Sequence, residues 1–109
     1  MDESRNLCPR YHRAVELLGQ RWTGAIVFVL LQGKCRYNDL RAEIPEISSR
    51  MLSERLKELE QQGIVVRNVV PEMPVRVEYA LTEKGRALSQ AVEAVAAWAH
   101  TWMEEDHPS

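Results

Sequence analysis

Apolar side chains recur along this chain with two periods, one helical and one extended. From Ile47 to Gly63, ISSRMLSERLKELEQQG, the residues Leu52, Leu56 and Leu59 fall at spacings of four and three. That spacing puts them on one face of a helix. Pro45 drives Ile44 out of the helical region, so a preceding helix ends there, and Ser48 can cap the new one by accepting an unpaired backbone N–H. Gly63 fits the left-handed position just past the last turn. The opposite face collects Ser49, Arg50, Ser53, Glu54 and Lys57. A helix of about 15 residues is about 22 Å long, enough to lie in a DNA major groove with an end packed on its own domain.

Upstream, Pro9 suits the first position of a helix, with Cys8 near its cap, Tyr11, Ala14, Val15 and Leu18 on one stripe and Gly19 at its end. Trp22 to Leu31 is apolar nearly all round, which predicts a helix buried on several sides. Lys34 to Tyr37 is a short connection able to pair as a strand. Tyr37 or Asn38 then opens a short helix with Leu40 and Ile44 inward.

After Gly63 the period changes. Ile64 to Val70 and Val75 to Leu81 are rich in β-branched residues, and Pro71-Glu72-Met73-Pro74 between them demands a turn, so the pair predicts a β-hairpin. Thr82 caps a final helix, with Glu83 at its positive end. Leu88, Val92, Val95, Ala99 and Trp102 form one stripe of that helix, and Ala91, Ala94 and Trp98 widen it beyond what one core needs. A second copy of the chain accounts for the excess. The expected dimer contacts are Tyr11 and Leu17 from the first helix with Leu88, Val92, Val95, Trp98 and Trp102 from the last. Packing within one subunit is the alternative.

At 109 residues the chain is one domain. Residues 1–7 are read as a flexible lead, 8–103 as the domain and 104–109 as an acidic tail. The apolar run Ala25 to Leu31 is too short to span a bilayer, and no signal-peptide pattern opens the chain. Two cysteines are too few for a disulfide framework, so the expected location is the cytoplasm. The net charge of −2 does not by itself point to nucleic acid. Its distribution is more informative. Six Lys or Arg against four Asp or Glu lie between Lys34 and Lys57, whereas Ala87 onward holds four acids and no Lys or Arg. A solvated charged face is the bland alternative.

The order helix, helix, short helix, polar-faced helix, hairpin, long helix is the winged helix-turn-helix plan: mainly α with a small β-hairpin and dimerising terminal helices. Its expected partner is double-stranded DNA. Arg50 is placed to pair bidentately with guanine, Ser48, Ser49 and Ser53 to hydrogen-bond adaptably, and Lys57 to meet phosphate. Arg76, beside the wing turn, is a candidate for the minor groove or a phosphate. Arg36 and Asn38 lie where the preceding helix would cross the backbone. Each of these is, on the other reading, a solvated side chain.

The stretches CPRYHRAVELLGQRWT, YNDLRAEIPEISSRMLSERLKELEQQGIVVR and PVRVEYALTEKGRAL, in that order, resemble the HxlR family of bacterial transcriptional regulators, relatives of the MarR-type winged-helix proteins. The resemblance runs from Cys8 to about Trp98. It implies a homodimer built on the first and last helices that binds an inverted-repeat operator; a repressor is the expected role, with activator the alternative. It also directs attention to Cys8, because several members resemble redox or electrophile sensors with a cysteine preceding a proline at this place. Independently, thiols at helix N-termini carry more thiolate, and Arg5, Arg10 and His12 are nearby cations. Quinones, aldehydes and hypochlorite attack such groups; the alternative is that Cys8 is a plain structural or incidental thiol. Cys35 is the candidate partner, or else a buried packing thiol.

Three other readings stay open. A non-covalent aromatic effector could bind at the dimer interface. Cys8 and His12, four apart, could hold a metal with Cys35, His100 or His107, though no second close pair supports it. The winged helix could dock proteins rather than DNA. No Gly-rich phosphate loop and no motif-supported nucleophile–base pair is present, so neither a cofactor nor an enzymatic activity is expected.

Overall fold

The computed structural model describes residues 6–104; the expected flexible lead and acidic tail lie largely outside them, as do Arg5 and His107. Helix α1 spans Pro9–Gly19 and α2 Thr23–Leu30. Strand β1, Cys35–Arg36, leads into α3, Tyr37–Glu43, and α4 spans Ser49–Gln61. Strands β2, Val65–Val70, and β3, Arg76–Leu81, form the hairpin. A four-residue α5, Glu83–Arg86, precedes α6, Ser89–Trp102. The sheet is antiparallel in the order β1-β3-β2, with Cys35 opposite Tyr79 and Val70 opposite Arg76. No helix of the described residues is long and apolar enough to cross a membrane.

The local signals in α4 act as the pattern predicts. Ser48 Oγ accepts from the Met51 N–H at 3.1 Å, and Gly63 takes a left-handed φ of 74°, where a side chain would be strained. Lys84 Nζ donates to the Gln62 carbonyl at 2.6 Å, satisfying an acceptor at the helix end. Leu52, Leu56 and Leu59 are buried in one core with Ile26, Val27 and Leu30 of α2, Leu40 of α3, and Tyr79 and Leu81 of β3. Arg55, read with the basic residues around α4, instead ties the helix down: its Nε donates to the Arg21 carbonyl at 2.9 Å. Trp22, in the left-handed region at φ 79°, is held there by packing against the core and by the Arg21 guanidinium 4.7 Å from its ring centroid.

Two expectations need correction. Thr82 does cap a helix, accepting from the Gly85 N–H at 3.1 Å, but that helix lasts one turn. Gly85 packs where an added Cβ would meet the Ile64 carbonyl oxygen, and a turn at Ala87-Leu88, in which the Leu88 N–H donates to Gly85 O at 3.0 Å, separates α5 from α6. Helix α2 is buried on one side rather than several: Thr23, Ile26, Val27 and Leu30 are covered, whereas Phe28 is 44% exposed.

Candidate nucleic-acid interface

Helix α4 presents its polar face outward beside α3. Ser49, Arg50, Ser53 and Lys57 are exposed, and Arg50, with 89% of its side chain accessible, reaches back to Glu54 at 3.3 Å. That exposed i,i+4 pair is weak and leaves the guanidinium available. Ser48 is also exposed, but its hydroxyl is committed to the helix cap.

Helix α3 supplies two groups that the sequence reading did not single out. Tyr37 Oη donates to the Ser49 carbonyl at 2.8 Å and lies 3.2 Å from Ser53 Oγ. Arg41 Nη1 donates to Ser49 Oγ at 2.7 Å. The signal was present: Tyr37 and Arg41 are four apart on a helix that a short turn folds against α4. Their partners depend on the crossing of the two helices, which the pattern of a single chain does not specify.

Arg36 and Asn38 are exposed at the start of α3, where the Arg36 N–H donates to Asp39 Oδ2 at 2.9 Å. Together with Tyr37 they face the wing loop across a concavity of about 540 Å³ that Glu72, Met73, Pro74 and Arg76 also line. Arg76 is not a free cation. Its Nη1 meets Glu72 Oε1 at 2.8 Å and its Nε meets Glu78 Oε2 at 2.9 Å. Lys34 approaches Glu78 from the other side at 3.4 Å. A groove or phosphate contact by Arg76 therefore draws on its remaining N–H groups, with two carboxylates already offsetting its charge.

Burial pushes the Glu78 carboxyl up, but hydrogen bonds from Arg76 and Lys34, reinforced by their charges, outweigh it and leave the group below its ordinary value of 4.5. A carboxylate lowered by folding stabilises the fold above its ordinary value, and that contribution is lost as pH falls through the lowered one. Thermal midpoints should accordingly favour the wild type over Glu78→Gln at neutral pH, and the gap should close below about pH 4.5. An equal gap at pH 3 and pH 7 would contradict this reading of the wing.

The two cysteines are free and differ in setting. Cys8 is exposed at the N-cap of α1, and His12 one turn on pairs with Glu16 at 3.4 Å. Cys35 is half-buried in β1, with Sγ 3.6 Å from the Gly33 carbonyl. Burial first, then the charges of Asp39 and Glu43, push its thiol up, which keeps it protonated at neutral pH. Among the described residues no three His, Cys, Asp or Glu side chains gather as a metal site would require.

The expected dimer residues divide. Leu17, Leu88 and Val92 are partly buried against the chain's own core. Tyr11, Val95, Trp98 and Trp102 are 63%, 67%, 58% and 73% exposed, and Val15 and Phe28 join them at the surface. An apolar groove of about 270 Å³ runs between α1, α2 and α6, lined by residues that include Leu18, Phe28, Val92 and Val95.

A polar-faced helix seated on an apolar core, a crossing helix before it and a hairpin after it define a winged helix-turn-helix DNA-binding domain. The chain belongs to the HxlR-like helix-turn-helix family, whose model matches residues 17–107. It is 50% identical over 98 residues to the HTH-type transcriptional regulator YodB of Bacillus subtilis, covering 90% of this chain and 88% of YodB. To YvaP of the same organism, also named an HTH-type transcriptional regulator, it is 49% identical over 98 residues, covering 90% and 91%. The solved reduced form of YodB superposes with a TM-score of 0.81 at 48% identity, covering 94% of this chain and all of that one. The oxidised form of the redox regulator HypR gives 0.82 at 37% identity, covering 92% and 100%. The chain is thus a transcriptional regulator of the HxlR/MarR type.

Proposed function

We propose that this protein is a homodimeric, sequence-specific DNA-binding repressor of the cytoplasm, released from its operator when an electrophile or oxidant modifies Cys8. The observation that carries the reading is the outer face of α4, where Ser49, Arg50, Ser53 and Lys57 stand exposed over a helix anchored by Leu52, Leu56 and Leu59. The exposed aromatic and apolar side chains of α1 and α6 form the surface that a second copy would cover. Two-fold symmetry then calls for an inverted-repeat operator with half-sites about one helical turn, or a multiple, apart.

Cys8 is the reactive thiol in this reading because it is accessible and stands at the N-cap position of the first helix of that same surface. An adduct there bears on the dimer contact and through it on the spacing of the paired α4 helices. Cys35, held protonated, enters only as a partner to an already oxidised Cys8. Structures of YodB in quinone-bound and diamide-treated forms, at TM-scores of 0.76 and 0.75, and of HypR in an oxidised form support the choice of stimulus. The apolar groove between α1, α2 and α6 favours a second reading, a non-covalent aromatic effector.

The test is binding of the reduced protein to DNA upstream of its own gene, and failing that to DNA from an unbiased selection, before and after benzoquinone. Salt-sensitive binding should fall about ten-fold or more on treatment, the scale of an allosteric coupling, and a Cys8→Ser variant should keep its affinity. Equal loss in both proteins would remove Cys8 as the sensor. Binding indifferent to quinone would turn the search to the groove.

A further inference from the structure

We propose that α3 sets the hydrogen-bonding capacity of the two serines on α4, leaving Ser53 only an acceptor toward the DNA groove while Ser49 keeps its proton to donate. The proposal rests on α4 being the DNA-reading helix and adds which base groups it reads. Tyr37 is the pivot. A phenol has one proton, and that of Tyr37 is directed to the Ser49 carbonyl oxygen at 2.8 Å. At the 3.2 Å contact between the Tyr37 and Ser53 hydroxyls, Ser53 must therefore donate and Tyr37 accept. Ser53 then has no proton left for a ligand, and only its lone pairs face outward.

Ser49 keeps its proton. Arg41 Nη1, which can only donate, fills a lone pair of Ser49 Oγ at 2.7 Å and leaves the hydroxyl proton pointing away. The guanidinium charge strengthens that bond, so a contact with DNA does not readily reverse it. Both serines are exposed, and Tyr37 is half-buried, packed against the core. Tyr37 and Arg41 are positioning residues that act through the serines.

The consequence is a chemical selection. In the major groove the donors are the exocyclic amines, adenine N6 and cytosine N4, whereas guanine O6 and thymine O4 accept. Ser53 pairs with an amine. Against a carbonyl it sets oxygen opposite oxygen and leaves both unsatisfied. Ser49 suits guanine N7 or O6, thymine O4 or a phosphate oxygen.

The test uses the full-length protein and a synthetic duplex carrying its selected site. Each base in turn is stripped of its exocyclic amine, with purine replacing adenine and pyrimidin-2-one replacing cytosine, or has the amine exchanged for a carbonyl by base-pair substitution. At one base the wild type should rank amine above no group above carbonyl, the amine-to-carbonyl exchange weakening binding about ten-fold. Ser53→Ala should bind all three alike there. Tyr37→Phe keeps the ring and releases the Ser53 proton, so the carbonyl penalty should shrink several-fold.

The proposal is overturned if no base separates the wild type from Ser53→Ala, if a carbonyl at that base is bound as well as the amine, or if Tyr37→Phe keeps the wild-type ranking. Should Tyr37→Phe fail to fold by circular dichroism, the ranking in the wild type and Ser53→Ala decides. Failure of the underlying reading has another signature: selection yields no preferred sequence and Arg50→Ala binds as the wild type does, and the polarity assignment falls with it.

Discussion

Replacing Leu52 with Ala is expected to lower the unfolding free energy by about 2–5 kcal/mol, the range for a fully buried leucine whose neighbours cannot collapse into the gap. Leu52 is fully buried, and with Leu56 and Leu59 it holds α4 on a core shared by α2, α3 and the sheet. The polar side of the same helix is the proposed DNA face, so the cavity also loosens the element that must present Arg50 and Ser53 at fixed positions. Chemical denaturation should show the loss as a lower midpoint with unchanged slope. An unfolding free energy within about 0.5 kcal/mol of wild type, the scale of a surface substitution, would mean that α4 is not anchored as described.

Gly85→Ala is the second large effect. A Cβ built at Gly85 would lie 2.3 Å from the Ile64 carbonyl oxygen and 3.0 Å from Leu81 Cδ2. The oxygen belongs to backbone and cannot rotate away, because it also accepts the Thr82 N–H at 3.0 Å. The methyl therefore has to push α5 off the end of the sheet, at a cost of about 1–3 kcal/mol or more. Gly19→Ala, with nothing within 4 Å of its built Cβ, is the control and should differ little from wild type. Equal stability of the two variants would show that the close approach at Gly85 relaxes freely.

The contrast between these sites indicates what could be read before the fold was known. The anchoring face of α4 was legible because leucine spacing, a serine cap and a left-handed glycine all act within a few residues of one another. The hairpin was legible for the same reason, from β-branched runs flanking two prolines. Gly85 was not: its role depends on a carbonyl 21 positions earlier, and in sequence it reads as an ordinary small residue inside a helix that continues to Trp102. The same holds for Arg76, read as a cation near the wing tip but found between Glu72 and Glu78, and for Arg55, whose partner Arg21 lies 34 positions away. At the candidate site the outward residues of α4 were predictable from periodicity. Tyr37 and Arg41 were not, because the crossing of α3 over α4 selects their contacts.

The operator specificity proposed above depends on α4 reading DNA. The most direct measurement is the affinity of the reduced protein for its selected duplex across a range of salt concentrations, for the wild type, Arg50→Ala and Lys57→Ala. Steep salt dependence is expected, with a salt slope reduced by about 1 in Lys57→Ala and a loss of about 1–3 kcal/mol of base preference in Arg50→Ala. Wild-type slope and wild-type preference in both variants would contradict it and leave the winged helix as a surface for protein partners.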